Sequence, residues 1–170
     1  ILNTHHHLDH VGGNQKLKDR FKSKVLGFEL DKHRIPGIDI TLKEKQNFKI
    51  GNTSFEVIYI PGHTKGHIAF YSKDEKLVFS GDTLFSLGCG KIFEGTYKQM
   101  YDSLNKIKKL PKDTEIYCGH EYTLKNGNFC LANDKSNLQL KEKIKKVKIQ
   151  LENNLPSVPT LLSDEIECNV

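Results

Sequence analysis

Thr4-His5-His6-His7-Leu8-Asp9-His10 places four metal-ligand side chains, His5, His7, Asp9 and His10, within six residues. One histidine alone is usually structural; a cluster of this density is not. On an extended backbone His5 and His7 point the same way, so two imidazoles can share one ion while His6 points away from it. Asp9 and His10 lie past the bend and are free to face a second ion. Three consecutive histidines also occur in expression tags, but Asp9, His10 and Gly12-Gly13 follow here in functional order.

Working outward, Ile1-Leu2-Asn3 reads as the tail of a buried strand that delivers the cluster at its end. Gly12-Gly13 permits a tight turn into a helix over Asn14 to Phe21. Lys24 to Phe28 reads as a short strand. Asn47 to Ile50 and Thr53 to Ile60 flank Gly51-Asn52 as a hairpin, with Phe55, Val57 and Tyr59 on one face. Ile68 to Tyr71, Leu77 to Ser80 and Glu115 to Cys118 are further strands, and Thr96 to Lys109 reads as a helix. After Tyr122 the strand signals stop. Ser136 to Leu151 is a lysine-rich amphipathic helix with Leu140, Ile144, Val147 and Leu151 on one stripe. Pro156 and Pro159 mark a terminal loop with no closing element before Val170.

This is an α/β pattern, a layered sandwich with ligand-type residues at strand ends along one rim, followed by a helical piece. Three later ligand-type residues each follow a strand and a glycine: Pro61-Gly62-His63, Gly81-Asp82 and Gly119-His120. A carboxylate such as Asp82 can bridge two cations, as an imidazole cannot. Seven ligands with one bridging carboxylate give each of two metals four protein ligands, with a hydroxide between. Imidazole and carboxylate without thiolate point to a catalytic site rather than a closed structural one. His67 reads as a structural histidine near the site and His33 as a surface residue.

Composition limits the alternatives. The 170 residues suit one domain, or one domain plus a fragment of a second, with 36% hydrophobic and 28% charged residues. The net charge of +5 is carried by dispersed lysines, with Arg20 and Arg34 the only arginines, which does not suit a nucleic-acid surface. No apolar run is long enough to cross a bilayer. Cys89, Cys118, Cys130 and Cys168 form no CxxC pair, which fits a reducing compartment and buried structural thiols.

Thr-His-x-His-x-Asp-His, with the later histidine, aspartate and histidine, resembles the hallmark of the metallo-β-lactamase superfamily. Within it, the chain resembles the glyoxalase II (hydroxyacylglutathione hydrolase) branch. That narrower likeness is carried by Gly88-Cys89-Gly90-Lys91-Ile92-Phe93-Glu94-Gly95-Thr96 and Cys118-Gly119-His120-Glu121-Tyr122-Thr123. The resemblance implies an αββα sandwich over residues 1–122, lacking its first strands, and a partial C-terminal helical substrate-binding domain over 123–170. It implies two divalent metal ions, zinc first, with iron or manganese as alternatives. One takes His5, His7 and His63; the other takes Asp9, His10 and His120; Asp82 bridges. It assigns glutathione contacts to Lys91, Ile92 and Phe93 and to His120, Glu121 and Tyr122. Phe93 departs from the family, which often has tyrosine there, and the given chain ends before the basic residues expected near the family C-terminus.

The implied reaction is hydrolysis of S-(2-hydroxyacyl)glutathione, such as S-D-lactoylglutathione, to glutathione and a 2-hydroxy acid, a step of methylglyoxal detoxification. The nucleophile is a metal-bridging hydroxide held by Asp82 and Asp9. A thiolate leaving group requires no strong general acid. The protein is expected to be a cytoplasmic monomer (an organellar form being the alternative) with no nucleic-acid or membrane partner. Rival readings are a mono-iron persulfide dioxygenase or a tRNA-processing nuclease of the same fold, or a non-catalytic metal-binding module.

Overall fold

The computed structural model describes residues 1–170. In chain order its elements are helices α1 (Leu8–Val11) and α2 (Asn14–Phe21), strand β1 (Leu26–Phe28), a 3-10 turn (Glu29–Asp31), and strands β2 (Ile40–Leu42), β3 (Asn47–Ile50), β4 (Thr53–Tyr59), β5 (Ile68–Ser72), β6 (Leu77–Gly81), β7 (Leu84–Phe85) and β8 (Gly88–Cys89). Helix α3 (Tyr97–Lys108), strand β9 (Glu115–Cys118), helices α4 (Thr123–Asn133) and α5 (Leu138–Glu152), strand β10 (Thr160–Leu161) and helix α6 (Leu162–Cys168) complete the chain.

The α/β architecture expected from the sequence is present. Six strands form one mixed sheet in the order β10-β9-β6-β5-β4-β3. The β3–β4 hairpin closes on Ile50 opposite Thr53, so Gly51-Asn52 is the two-residue turn, with Gly51 at φ +58°. Strand β5 is buried at all five positions because both faces of the sheet are covered. Ile68 and Phe70 join Phe55 and Val57 of β4 in a core closed by Phe28 and Leu42 of the parallel β1–β2 pair. Ala69 and Tyr71 face the other way, into a core with Ile107 of α3, Ile116 of β9 and Leu162 of α6. Helix α3 starts at a capping box in which Thr96 and Gln99 satisfy one another's backbone N–H groups.

Strands β4 and β6 both run antiparallel to β5, and β6 runs parallel to β9. The C-terminal ends of β4, β6 and β9 therefore lie at one rim. That topology gathers His63, Asp82 and His120, which follow those ends.

The C-terminal part departs from the sequence reading in three places. Thr123–Asn133 is a helix, Thr160–Leu161 adds an edge strand antiparallel to β9, and Leu162–Cys168 is a closing helix rather than loop. A two-residue strand carries no periodicity, and α6 becomes helical through burial of Leu162, Glu165 and Cys168. Glu165, 4% exposed, accepts from Ser86 Oγ, Leu87 N–H and Thr160 Oγ1, and pairs with Lys143 of α5 at 3.0 Å. This buried network fixes the helical part to the β7–β8 turn. No helix is long and apolar enough to cross a membrane.

Candidate metal centre

Asn3 N–H donates to Leu26 O, and Ile68 N–H donates to Thr4 O, so the chain enters the rim in register with both sheets. His7 is the extended N-cap of α1 (φ −61°, ψ 146°), and the single helical turn that follows carries Asp9 and His10. The change from extended to helical backbone separates the first pair of ligands from the second.

Three imidazole nitrogens converge. His7 Nδ1 lies 3.2 Å from His5 Nε2 and 3.0 Å from His63 Nε2. With Zn–N bonds of ~2.0–2.1 Å, the edge of a tetrahedron is roughly 3.3 Å, so the spacing suits one cation. Each ring is oriented from behind: His5 Nδ1 meets Thr4 Oγ1 at 3.1 Å, and His63 Nδ1 donates to Lys91 O at 2.7 Å, leaving Nε2 of His63 with its lone pair. Burial pushes the pKa of His5 and His63 down, as it does for His7, so the neutral, ligating form is favoured.

The second group is more open. Asp9 Oδ2 lies 3.2 Å from His120 Nε2 and 3.5 Å from His10 Nε2. Asp82 joins the two groups: Oδ1 is 3.2 Å from His10 Nε2, and Oδ2 is 3.3 Å from His120 Nε2 and 3.6 Å from His63 Nε2. Burial pushes the Asp82 carboxyl up, yet the imidazoles of His10, His120 and His63 hold it below the usual range, as an anion.

Asp82 Oδ1 and His10 Nε2 are both buried, and neither has a hydrogen-bond partner. Unpaired buried polar atoms are costly, and two of them facing one another fit a cation between them. The residues present therefore suit divalent metal ions, whose identity the ligand types leave open between zinc, iron and manganese.

All seven residues expected as ligands come together here. His67 is fully buried, its pKa lowered to about 3 by burial and by His63; its Nε2 accepts the Asp82 N–H at 3.0 Å while Nδ1 faces Thr83 Oγ1. It holds the backbone of Asp82 in place. His6 points away, to buried Asp31 and to Arg34, and His33 is exposed.

The expected substrate contacts border this centre. Phe93, 58% exposed, sets its ring edge-on to His7 and His63 at 5.5 and 5.2 Å, with Lys91 Nζ 5.0 Å above it. Tyr122 stacks on His120 at 5.1 Å. Glu121 behaves differently: its carboxylate already accepts from Ser157 N–H, Ser157 Oγ, Thr123 N–H and Thr123 Oγ1. It anchors the His120–Tyr122 segment to the C-terminal loop. Arg34, Asp31 and Glu94, which sequence reading did not single out, form a charged cluster beside the centre.

Comparison with known proteins gives the family. Residues 1–120 match the model of the metallo-beta-lactamase superfamily, and residues 121–170 match that of the hydroxyacylglutathione hydrolase C-terminus. The chain is 56% identical over 170 residues to a hydroxyacylglutathione hydrolase of Pelagibacter ubique, covering all of this chain and 71% of that protein. It is 44% identical over 169 residues to one of Methylococcus capsulatus, covering 99% of this chain and 66% of that protein, slightly under two thirds of its length. Among solved structures, the BLEG-1 B3 metallo-beta-lactamase superposes with a TM-score of 0.65 at 30% identity, covering 71% of this chain and 68% of that one. TTHA1623 in a di-iron-bound form gives 0.61 at 31% identity, covering 71% and 68%. ETHE1 from Myxococcus xanthus gives 0.64 at 27% identity, covering 95% and 72%.

Proposed function

The chain belongs to the metallo-beta-lactamase superfamily, in its hydroxyacylglutathione hydrolase branch, and on that footing we propose that it hydrolyses S-(2-hydroxyacyl)glutathione, such as S-D-lactoylglutathione, to glutathione and a 2-hydroxy acid. The observation that carries the two-metal form of this reading is the span of Asp82, whose oxygens reach His10 on one side and His63 and His120 on the other. His5, His7 and His63 would hold one divalent ion; Asp9, His10 and His120 would hold the second; Asp82 would serve both. Bound there, such ions would supply a hydroxide near neutral pH by lowering the pKa of bound water to about 7.

The chain's own groups do the rest. The Lys91–Phe93 loop is set by the His63 Nδ1–H bond to Lys91 O, which ties the orientation of a metal ligand to the loop that would bind substrate. Lys91 offers an ammonium to a glutathione carboxylate, and Phe93 an apolar face beside His7 and His63. Tyr122, stacked on His120, offers a hydroxyl beside the second group of ligands. The departing thiolate is stable enough to leave without a proton from the protein. Residues 1–122 act as the metal-binding unit, and 123–170 as the helical unit that supports the substrate side.

Zinc is the first choice of metal, with iron and manganese open to the same donors. The free, unpaired cysteines fit a cytoplasmic setting, and the dispersed lysines fit a monomer acting on a small anionic substrate. A single-iron dioxygenase is the weaker reading, because one ion in the histidine triad leaves the facing Asp82 Oδ1 and His10 Nε2 without a partner. Metal analysis of the purified protein, together with loss of S-D-lactoylglutathione thioester absorbance, tests the proposal. Oxygen uptake with glutathione persulfide in place of thioester cleavage would replace it with the dioxygenase reading.

A further inference from the structure

His6, Asp31, Arg34 and Glu94 form a network that the reaction does not itself use. Asp31 is fully buried, with Oδ1 held by Arg34 Nε and Nη2 at 3.2 and 2.5 Å and Oδ2 3.2 Å from His6 Nδ1. The same guanidinium continues to Glu94, donating from Nη1 to Oε1 at 2.5 Å and from Nη2 to Oε2 at 3.2 Å. Glu94 Oε2 also accepts the Lys65 N–H at 2.8 Å. Arg34 thus forks toward two carboxylates, a geometry that a lysine cannot reproduce.

The two ends of this network have different duties. His6 sits between His5 and His7 in the metal motif, and its anchor, Asp31, is deep in the protein. Glu94 sits directly after Lys91-Ile92-Phe93, the loop proposed to bind substrate. That loop has few other ties to the metal side: His63 Nδ1–H to Lys91 O, Phe93 N–H to His63 O, and Gly95 N–H to Gly62 O. All three reach the His63 turn. Beside the edge-on contact of the Phe93 ring with His7, Glu94 supplies the polar tie of the loop to the His5–His7 motif, through Arg34 and a 3.6 Å approach of Oε1 to His6 Nε2.

We propose that Arg34 is a positioning residue that acts through Glu94, holding the Lys91–Phe93 loop at a fixed distance from the metal motif so that the glutathione part of the substrate meets a preformed edge. This rests on the hydrolase reading above. A preformed loop avoids the cost of ordering it on binding, so its loss falls on KM rather than on the chemical step.

Glu94→Ala is the variant of choice, because it cuts the tether while leaving the buried Asp31–Arg34 pair intact. We expect KM for S-D-lactoylglutathione to rise about five- to tenfold, kcat to stay within about twofold, and metal content to match the parent protein. Binding of the non-hydrolysable thioether S-hexylglutathione should weaken by the same factor. Amide hydrogen exchange at Lys65, Phe93 and Gly95 should speed up while the β5 amides stay protected. Arg34→Lys, which keeps the charge but not the fork, should raise KM and weaken thioether binding by part of that factor.

Unchanged KM, thioether affinity and loop exchange in Glu94→Ala would overturn the proposal. So would a fall in kcat and metal content at constant KM, which would make the network a support for the metals alone. A parent protein that binds metal but cleaves no thioester would instead overturn the hydrolase reading, and the exchange measurement would still decide whether the tether exists.

Discussion

A Cβ added to Gly119 would sit 2.3 Å from Asp82 Oδ1 and 2.9 Å from His10 Cε1. The chain leaving strand β9 therefore passes the centre with no room for a side chain, and the carboxylate of Asp82 occupies the space. The shape of the site depends on this bare stretch of backbone as much as on the ligands themselves.

Gly119→Ala should consequently push the Asp82 carboxylate out of position. We expect a folded protein, destabilised by about 1–3 kcal/mol from overpacking, that binds one metal ion tightly in the histidine triad and the other weakly. Metal content after dialysis against a mild chelator checks this; retention of both ions would show that the backbone approach is not restrictive.

Phe93→Tyr should improve substrate binding. The ring is 58% exposed and lies edge-on to two imidazoles, so a hydroxyl can be added without displacing a neighbour. One further hydrogen bond to glutathione is worth ~0.5–1.5 kcal/mol, which lowers KM by roughly two- to tenfold with kcat little changed. Steady-state kinetics on the two proteins side by side would reveal it, and an unchanged KM would remove Phe93 from the substrate surface.

The Arg34–Glu94 tether sets a pH dependence. The Arg34 guanidinium holds the Glu94 carboxyl down at about 2. A depressed carboxyl contributes stability above its unfolded pKa of about 4.3, and that contribution is lost as pH falls through the folded value. Loop protection at Lys65 and Phe93 should be flat from about pH 5 to 9 and decline only between about pH 4 and pH 2. Exchange measured across that range tests the sign; a decline centred near pH 6 would point to a histidine instead.

What the sequence revealed and what it hid follow from chemistry and distance. Residues His5 to His10, His63, Asp82 and His120 stood out because ligand types are rare and here follow strand ends and glycines. His67 reads from the sequence as a structural histidine near the site, and its bonds to Asp82 N–H and Thr83 show what it supports. Arg34 and Glu94 were invisible as a pair: they are ordinary charges 60 residues apart, joined only when the β1–β2 side folds against the rim. Helix α4 was missed because Asn126, Gly127, Asn128 and Asn133 are poor helix formers. Packing overrides that preference: a Cβ at Gly127 would meet Ile144 Cγ1 of α5 at 2.8 Å, so the residue that weakens the helix locally lets α4 approach α5.

The claim that two ions share Asp82 is tested most directly by Asp82→Ala, with metal per chain and S-D-lactoylglutathione hydrolysis measured on the same samples. Removing the one carboxylate that reaches His10, His63 and His120 should reduce bound metal well below two per chain and abolish thioester cleavage. An Asp82→Ala protein that keeps two metal ions and full activity would contradict the account.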